Sequence, residues 1–334
     1  AMSFTAPSWA GFYDGKDVTV IVNAGAGGGL TRTGRLVTTH LKKHMGANSN
    51  IIVKNVPGGG GVKGMNYMAE KAKKDGLTLM WGTANPMAKL LELPGVRYDP
   101  KDFNIIAAGS TTYISLIRSD AGGGINSGGD LLKLKNLIIG GRSTTDGLGI
   151  FARLPMAVLG VKYRYVPGYN AQPKLNAAIR AKEIQSLTTG HPGYIAFYLD
   201  TLLKTGEAKA LYYHSPMMAS GEPQRMKFYP SELKSFFDFY KETNGGKSPS
   251  GAMWEAYKWF STYSVHPFGL YAPPGVDASK VEELRTAFTN TIKDPEFIAA
   301  YKKQLKAPPN FLIGKNAEYI IKDSEKILPD AKEG

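Results

Sequence analysis

The apolar run Val18-Thr-Val-Ile-Val22 leads into a glycine loop, Asn23-Ala-Gly-Ala-Gly-Gly-Gly29. Positions Leu30, Gly34, Val37, Leu41 and Met45 then recur with helical period. The order returns twice. Ile51-Ile-Val53 precedes Asn55-Val-Pro-Gly-Gly-Gly-Gly61 and a helical pattern at Val62, Met65, Ala69 and Ala72. Leu77-Thr-Leu-Met-Trp81 precedes Gly82-Thr-Ala-Asn85 and a short helix from Pro86, a favoured first-turn residue. Strand, loop and helix in succession predict a parallel sheet, with loops gathered at the carboxyl ends of the strands, where such sheets hold ligands.

After a glycine-rich link, Ala121 to Gly129, the pattern resumes. Leu137-Ile-Ile139 leads into Gly140 to Asp146, Tyr163 to Val166 into Pro167 to Gln172, and Ile184 to Leu187 into Thr188 to Pro192. A second α/β unit is therefore expected from residue 118 to 264, the first being residues 1–117 plus 265–334. Between 215 and 262 the texture turns aromatic. Pro230-Ser231 is expected to cap a helix carrying Leu233, Phe236, Phe237 and Tyr240, and the excursion reads as packing. The tail, with Val281, Leu284 and Phe288 on one face, reads as helices without strands that return over the first unit.

Composition excludes several classes. A chain of 334 residues, 43% hydrophobic and 21% charged, can hold two domains with ordinary cores. No apolar run approaches the roughly 18 residues that span a bilayer. Zero cysteines rule out disulfides and thiolate chemistry. The net charge of +13 is spread over the chain without a basic block or a nucleic-acid motif, so no nucleic-acid partner is expected. Residues 1–16 show no secretory leader. Ala1-Met2 reads as a cloning remnant, which leaves room for a leader removed upstream.

A glycine loop between a strand and a helix aims unpaired N–H groups at one point, where the helix dipole favours an anion. A tight turn alone is the plainer alternative. Gly25-Ala-Gly-Gly-Gly-Leu30 lacks the third glycine of the dinucleotide motif, and no acidic residue ends the next strand. The Gly-Lys-Ser/Thr of a phosphate loop is also absent. Arg32 and Arg142 lie in or beside strand-to-helix loops and could fork onto a dianion if both point inward. His40 and His44 share a helix, but with two lysines between them they read as a solvated face, and no metal is expected. His191 could donate to an anion or simply stabilise its turn.

Several motifs occur together and in order. They are Gly27-Gly-Gly-Leu-Thr31 with Arg35, Asn55-Val-Pro-Gly-Gly-Gly-Gly61, Asp75-Gly-Leu-Thr-Leu79, Val166-Pro-Gly-Tyr-Asn170 and Ala272-Pro-Pro-Gly275. They resemble the Bug-type solute-binding receptors of tripartite tricarboxylate transporters over most of the chain.

The resemblance implies a two-lobed α/β periplasmic-binding-protein fold of the Venus flytrap, type II-like kind, with a ligand cleft between the lobes. It further implies a periplasmic receptor, a monomer without cofactor or catalysis, which hands a small carboxylate to integral-membrane transporter subunits. Candidate ligand-binding residues are Asn23, Ala26, Gly27, Gly28, Gly29, Leu30, Thr31 and Arg32 of the first loop and Thr83, Ala84 and Asn85 of the third. The second unit adds Arg142, Ser143, Thr144, Thr145, Asp146, Tyr169, Thr189 and His191. Thr31 and Thr189 stand where the family carries acidic residues, so an amine-free ligand is expected, either a di- or tricarboxylate or an aromatic acid. The long 215–262 excursion and Pro155, which is expected to interrupt a helix, depart from the family pattern.

Overall fold

The computed structural model describes residues 11–90, 92–216, 222–263 and 268–322. The strands are β1 (Asp17–Val22), β2 (Asn50–Asn55), β3 (Thr78–Gly82), β4 (Asn104–Gly109), β5 (Tyr113–Arg118), β6 (Leu137–Gly140), β7 (Tyr163–Val166), β8 (Ser186–Gly190), β9 (Ala208–His214), β10 (Phe268–Ala272) and β11 (Phe311–Ile313). They form two sheets, ordered β11-β4-β10-β3-β1-β2 and β7-β6-β8-β5-β9. The β2-β1-β3 and β7-β6-β8 trios are parallel, as the strand-loop-helix repeats require. β10, β11 and β5 run antiparallel to their neighbours.

The principal helices are α1 (Gly29–Leu41), α2 (Val62–Glu70), α3 (Gly147–Val158), α4 (Gln172–Arg180), α5 (Phe236–Thr243), α6 (Ala252–Tyr263), α7 (Ala278–Lys293) and α8 (Pro295–Leu305). Among the described residues no helix is long and apolar enough to cross a membrane.

β1 shows how the first sheet is held. Val18, Val20 and Val22 face one core with Val37 and Leu41 of α1 and Leu284 and Phe288 of α7. Ile21 faces the other core with Met65 and Met68 of α2. Period-2 alternation thus buries both faces, each large side chain contributing about 1.5–3 kcal/mol.

Five expectations are corrected here. The tail contains strands: β10 inserts between β3 and β4, and β11 covers the edge of β4. The chain crosses between sheets at 110–112 rather than at 117/118, because β5 pairs with β8 and β9. α3 runs through Pro155 without ending there. α5 starts at Phe236, where the Ser235 hydroxyl accepts from Asp238 N (3.1 Å), not at Pro230-Ser231. The described residues of the 215–262 excursion are core material, with Phe236, Trp254, Tyr257 and Phe260 packed around Tyr212 and Phe151. His40 and His44 are not a solvated pair: His40 is buried against Phe297, and His44 lies 3.3 Å from Asp294.

Candidate functional site

Between the two sheets lies a cavity of about 110 Å³. Its walls include the first turns of four helical segments. Gly28 caps α1, and Gly29, Leu30 and Thr31 precede the first intrahelical bond, Arg32 N to Gly28 O at 3.0 Å. Gly147 and Leu148 open α3, Ala171 and Gln172 open α4, and Pro192 and Gly193 follow β8. First-turn N–H groups have no helical acceptor. Neither Gly28, Ala171 nor Gly190 supplies a side-chain cap. Of these first-turn residues, all but Thr31 line the cavity. The free N–H groups among them, Pro192 having none and that of Gly28 turning to Gly25 O, and the helix dipoles make it a place for negative charge.

The two lobes touch closely around this point. A side-chain carbon on Gly29 would lie 2.9 Å from Gly193 N, and one on Gly25 would lie 2.8 Å from Asn170 O. Glycine is what permits both approaches.

Arg142 lines the cavity and is already committed. Its Nε donates to Asp146 Oδ2 (2.5 Å), and its Nη2 reaches across to Gly60 O (3.2 Å). Asp146, 1% exposed, also accepts from Gly149 N at 2.9 Å and so caps α3. Asp146 therefore has a partner on each oxygen. The remaining polar groups favour donation. Thr83 Oγ1 is buried with no hydrogen-bond partner among the described residues. Gln172 Oε1 accepts from Tyr198 Oη (2.8 Å), so the amide's free end is a donor. Burial, and next the charge of Asp146, raise the Tyr113 phenol far above its ordinary range, so it stays protonated. Leu30, Leu148, Leu175 and Phe268 supply apolar wall.

No family model and no curated protein matches the sequence. Solved structures do match. The periplasmic binding protein BugD aligns with a TM-score of 0.70 and 16% identity, over 95% of this chain and 95% of BugD. It has the fold of the Bug- and TctC-type periplasmic binding proteins. MatC of Rhodopseudomonas palustris, solved with bound malate, gives 0.67 at 17% identity over 95% of this chain and 97% of MatC. Rpa4515 of R. palustris, solved with adipate, gives 0.69 at 18% identity over 95% and 97%. The periplasmic-binding-protein fold agrees with the α/β, two-lobed class read from the sequence.

Within that fold, the sequence-derived candidates divide. Gly28, Gly29, Leu30, Thr83, Arg142 and Tyr169 line the cavity. Others hold its loops instead. Asn23 donates to Thr83 O (2.8 Å) and accepts from Thr83 N (3.1 Å), tying β1 to β3. Thr31 donates to Gly25 O (3.0 Å) and accepts from Asn55 Nδ2 (2.9 Å). Asn85, at φ 43°, reaches Gly60 O (3.3 Å), and Ala84 is core. Ser143 Oγ accepts from Thr145 N (3.2 Å), and Thr144 O accepts from Arg153. The Thr189 hydroxyl faces Gln172 Oε1 (3.2 Å).

Ala26, Gly27 and Arg32 are exposed, so the two inward arginines allowed for by the sequence reduce to Arg142 alone. His191 uses both ring nitrogens elsewhere. Nε2–H donates to Leu305 O (2.5 Å), and Nδ1 accepts from Tyr229 Oη (2.8 Å). Burial lowers its pKa, with the Leu305 carbonyl opposing, so the ring is neutral and not a cavity donor.

Sequence reasoning missed Tyr113, Gly147, Leu148, Gln172, Leu175, Gly193 and Phe268. A usable signal existed for three of them. Gly147 and Leu148 directly follow the capping Asp146, and Gln172 directly precedes a first-turn proline.

Proposed function

We propose that this chain is an extracytoplasmic solute-binding receptor. It captures a small amine-free carboxylate between its lobes and passes it, as a monomer and unaltered, to the membrane subunits of a tripartite tricarboxylate transporter. One observation carries this reading: helix first turns from both lobes line a cavity, and Asp146, the carboxylate that holds Arg142 in its wall, is engaged on both oxygens by Arg142 Nε and Gly149 N. The carboxylate would sit on N–H groups of Gly29, Leu30 and Gln172, with Thr83 and Arg142 within the same wall. An α-ammonium would meet donors and one end of Arg142, leaving a buried charge unpaired. The malate of MatC and the adipate of Rpa4515 are both amine-free dicarboxylates, which supports the ligand class. Contacts between lobes that depend on closure would couple binding to a shift in the open–closed population.

The test is a thermal-shift panel on protein unfolded and refolded to strip carried-over ligand. Matched pairs are used: succinate and aspartate, glutarate and glutamate, phenylpropanoate and phenylalanine, with ATP as an outsider. At about a hundred times its dissociation constant, a ligand adds roughly 2.7 kcal/mol. Stabilisation by deaminated members alone is expected. Stabilisation by ATP, or by the amino acid of a pair and not its partner, overturns the proposal.

A further inference from the structure

We propose that the open edge of the first sheet, strand β2, docks an extended acidic segment of a second protein, which pairs with it as a seventh strand. This is independent of what the cleft binds.

β2 is the outermost strand of its sheet and runs in unbroken register with β1 from Asn50 to Asn55. Asn50 N bonds Lys16 O (2.9 Å) and Val56 N bonds Val22 O (2.8 Å), so the even-numbered residues face β1. By the strand's period of two, the N–H and C=O groups of Ile51 and Val53 face outward and have no ladder partner among the described residues. The strand has neither the proline nor the bulge that commonly blunts an edge, and Ile52 is 42% exposed. Beside it, between α1 and β2, runs a groove of about 310 Å³ lined by Arg35, Thr38, Thr39, Lys42, Ile51 and Val53. Arg35 and Lys42 are exposed and form no ion pair among the described residues, and Lys54 adds an exposed charge on the strand itself.

A free β-edge flanked by uncompensated cations fits strand addition by an acidic, extended chain: main-chain bonds supply affinity and the cations supply selection. A second copy of this chain fits poorly, because edge-to-edge pairing would set Arg35, Lys42 and Lys54 against their own kind.

The experiment uses the full chain and two labelled octapeptides of alternating valine with glutamate or with lysine, read by fluorescence anisotropy and amide hydrogen exchange. The glutamate peptide is expected to bind and slow exchange at Ile51 and Val53 at least tenfold, while the lysine peptide does neither. Arg35→Glu with Lys42→Glu should weaken binding at least tenfold. Val53→Pro, which removes an outward N–H that the ladder does not use, should abolish it with unchanged circular dichroism. Cleft ligand binding should be the same in all variants. Absence of binding, no protection at Ile51 and Val53, or binding indifferent to the charge reversal overturns the proposal. So does protection of those amides that grows with protein concentration alone, which would identify a second copy as the occupant.

Discussion

Gly29→Ala isolates lobe closure from lobe folding. Gly29 is the first residue of α1, in a conformation open to any residue, and alanine is the better helix former by up to about 1 kcal/mol. None of the three atoms nearest the methyl group belongs to the first lobe. Its obstacle is the other lobe: the new carbon would lie 2.9 Å from Gly193 N and 3.3 Å from the Pro192 carbonyl carbon. Both are backbone atoms, which cannot swing aside as a side-chain tip can. The lobes must part by several tenths of an ångström, or the contact must absorb overpacking that typically costs 1–3 kcal/mol. All of that falls on the closed state, so ligand affinity should drop by about 5- to 150-fold. Unfolding of the unliganded protein should stay within about 1 kcal/mol of wild type. Calorimetric titration with the best ligand, paired with urea unfolding, reads both quantities. Unchanged affinity, or lost affinity accompanied by an equal loss of stability, would refute closure at Gly29 and Gly193.

Thr83→Val should leave unliganded stability unchanged or raised, since the hydroxyl has no partner among the described residues, yet weaken ligand binding about tenfold by titration calorimetry. Asp146→Ala leaves Arg142 without its carboxylate and uncaps α3, so urea unfolding should show a loss of about 3–5 kcal/mol, whereas Arg32→Ala should stay within about 0.5 kcal/mol in the same assay. Burial lowers His214 from 6.5 to about 3. Folding then keeps the ring neutral while the unfolded chain takes up a proton, so stability is whole above about pH 6.5 and is lost as pH falls toward 3, by up to about 1.4 kcal/mol per unit. His214→Gln should flatten that slope in urea titrations between about pH 6 and 4.

The parallel trios were legible in the sequence because each strand runs into a glycine or polar loop and then into a helical period, a local signal. β4 and β5 were not: they stand back to back, separated only by residues 110–112, and no loop-helix unit marks either. β10 and β11 are short runs that become strands only by pairing with β3 and β4, some 150 to 200 residues away. At the site, the glycine loop reaches the cavity between the lobes through Gly28, Gly29 and Leu30. What pattern could not distinguish is a polar residue that meets a ligand from one that holds a loop. Asn23, Thr31, Asn85 and Thr189 are all buried and all hydrogen-bonded within the protein. Tyr113 and Phe268 face the cavity because two lobes meet there, a fact of tertiary geometry without local trace.

The most direct test places the ligand on the helix first turns. Protein labelled with nitrogen-15 glycine is titrated with the carboxylate that stabilises it most, and the amide signals are followed. The amides of Gly29, Gly147 and Gly193 should shift downfield and saturate together at one ligand per chain, with the corresponding amino acid producing no such change. Saturation that leaves these three amides unmoved, while glycines remote from the cavity respond, would contradict a carboxylate held between the lobes.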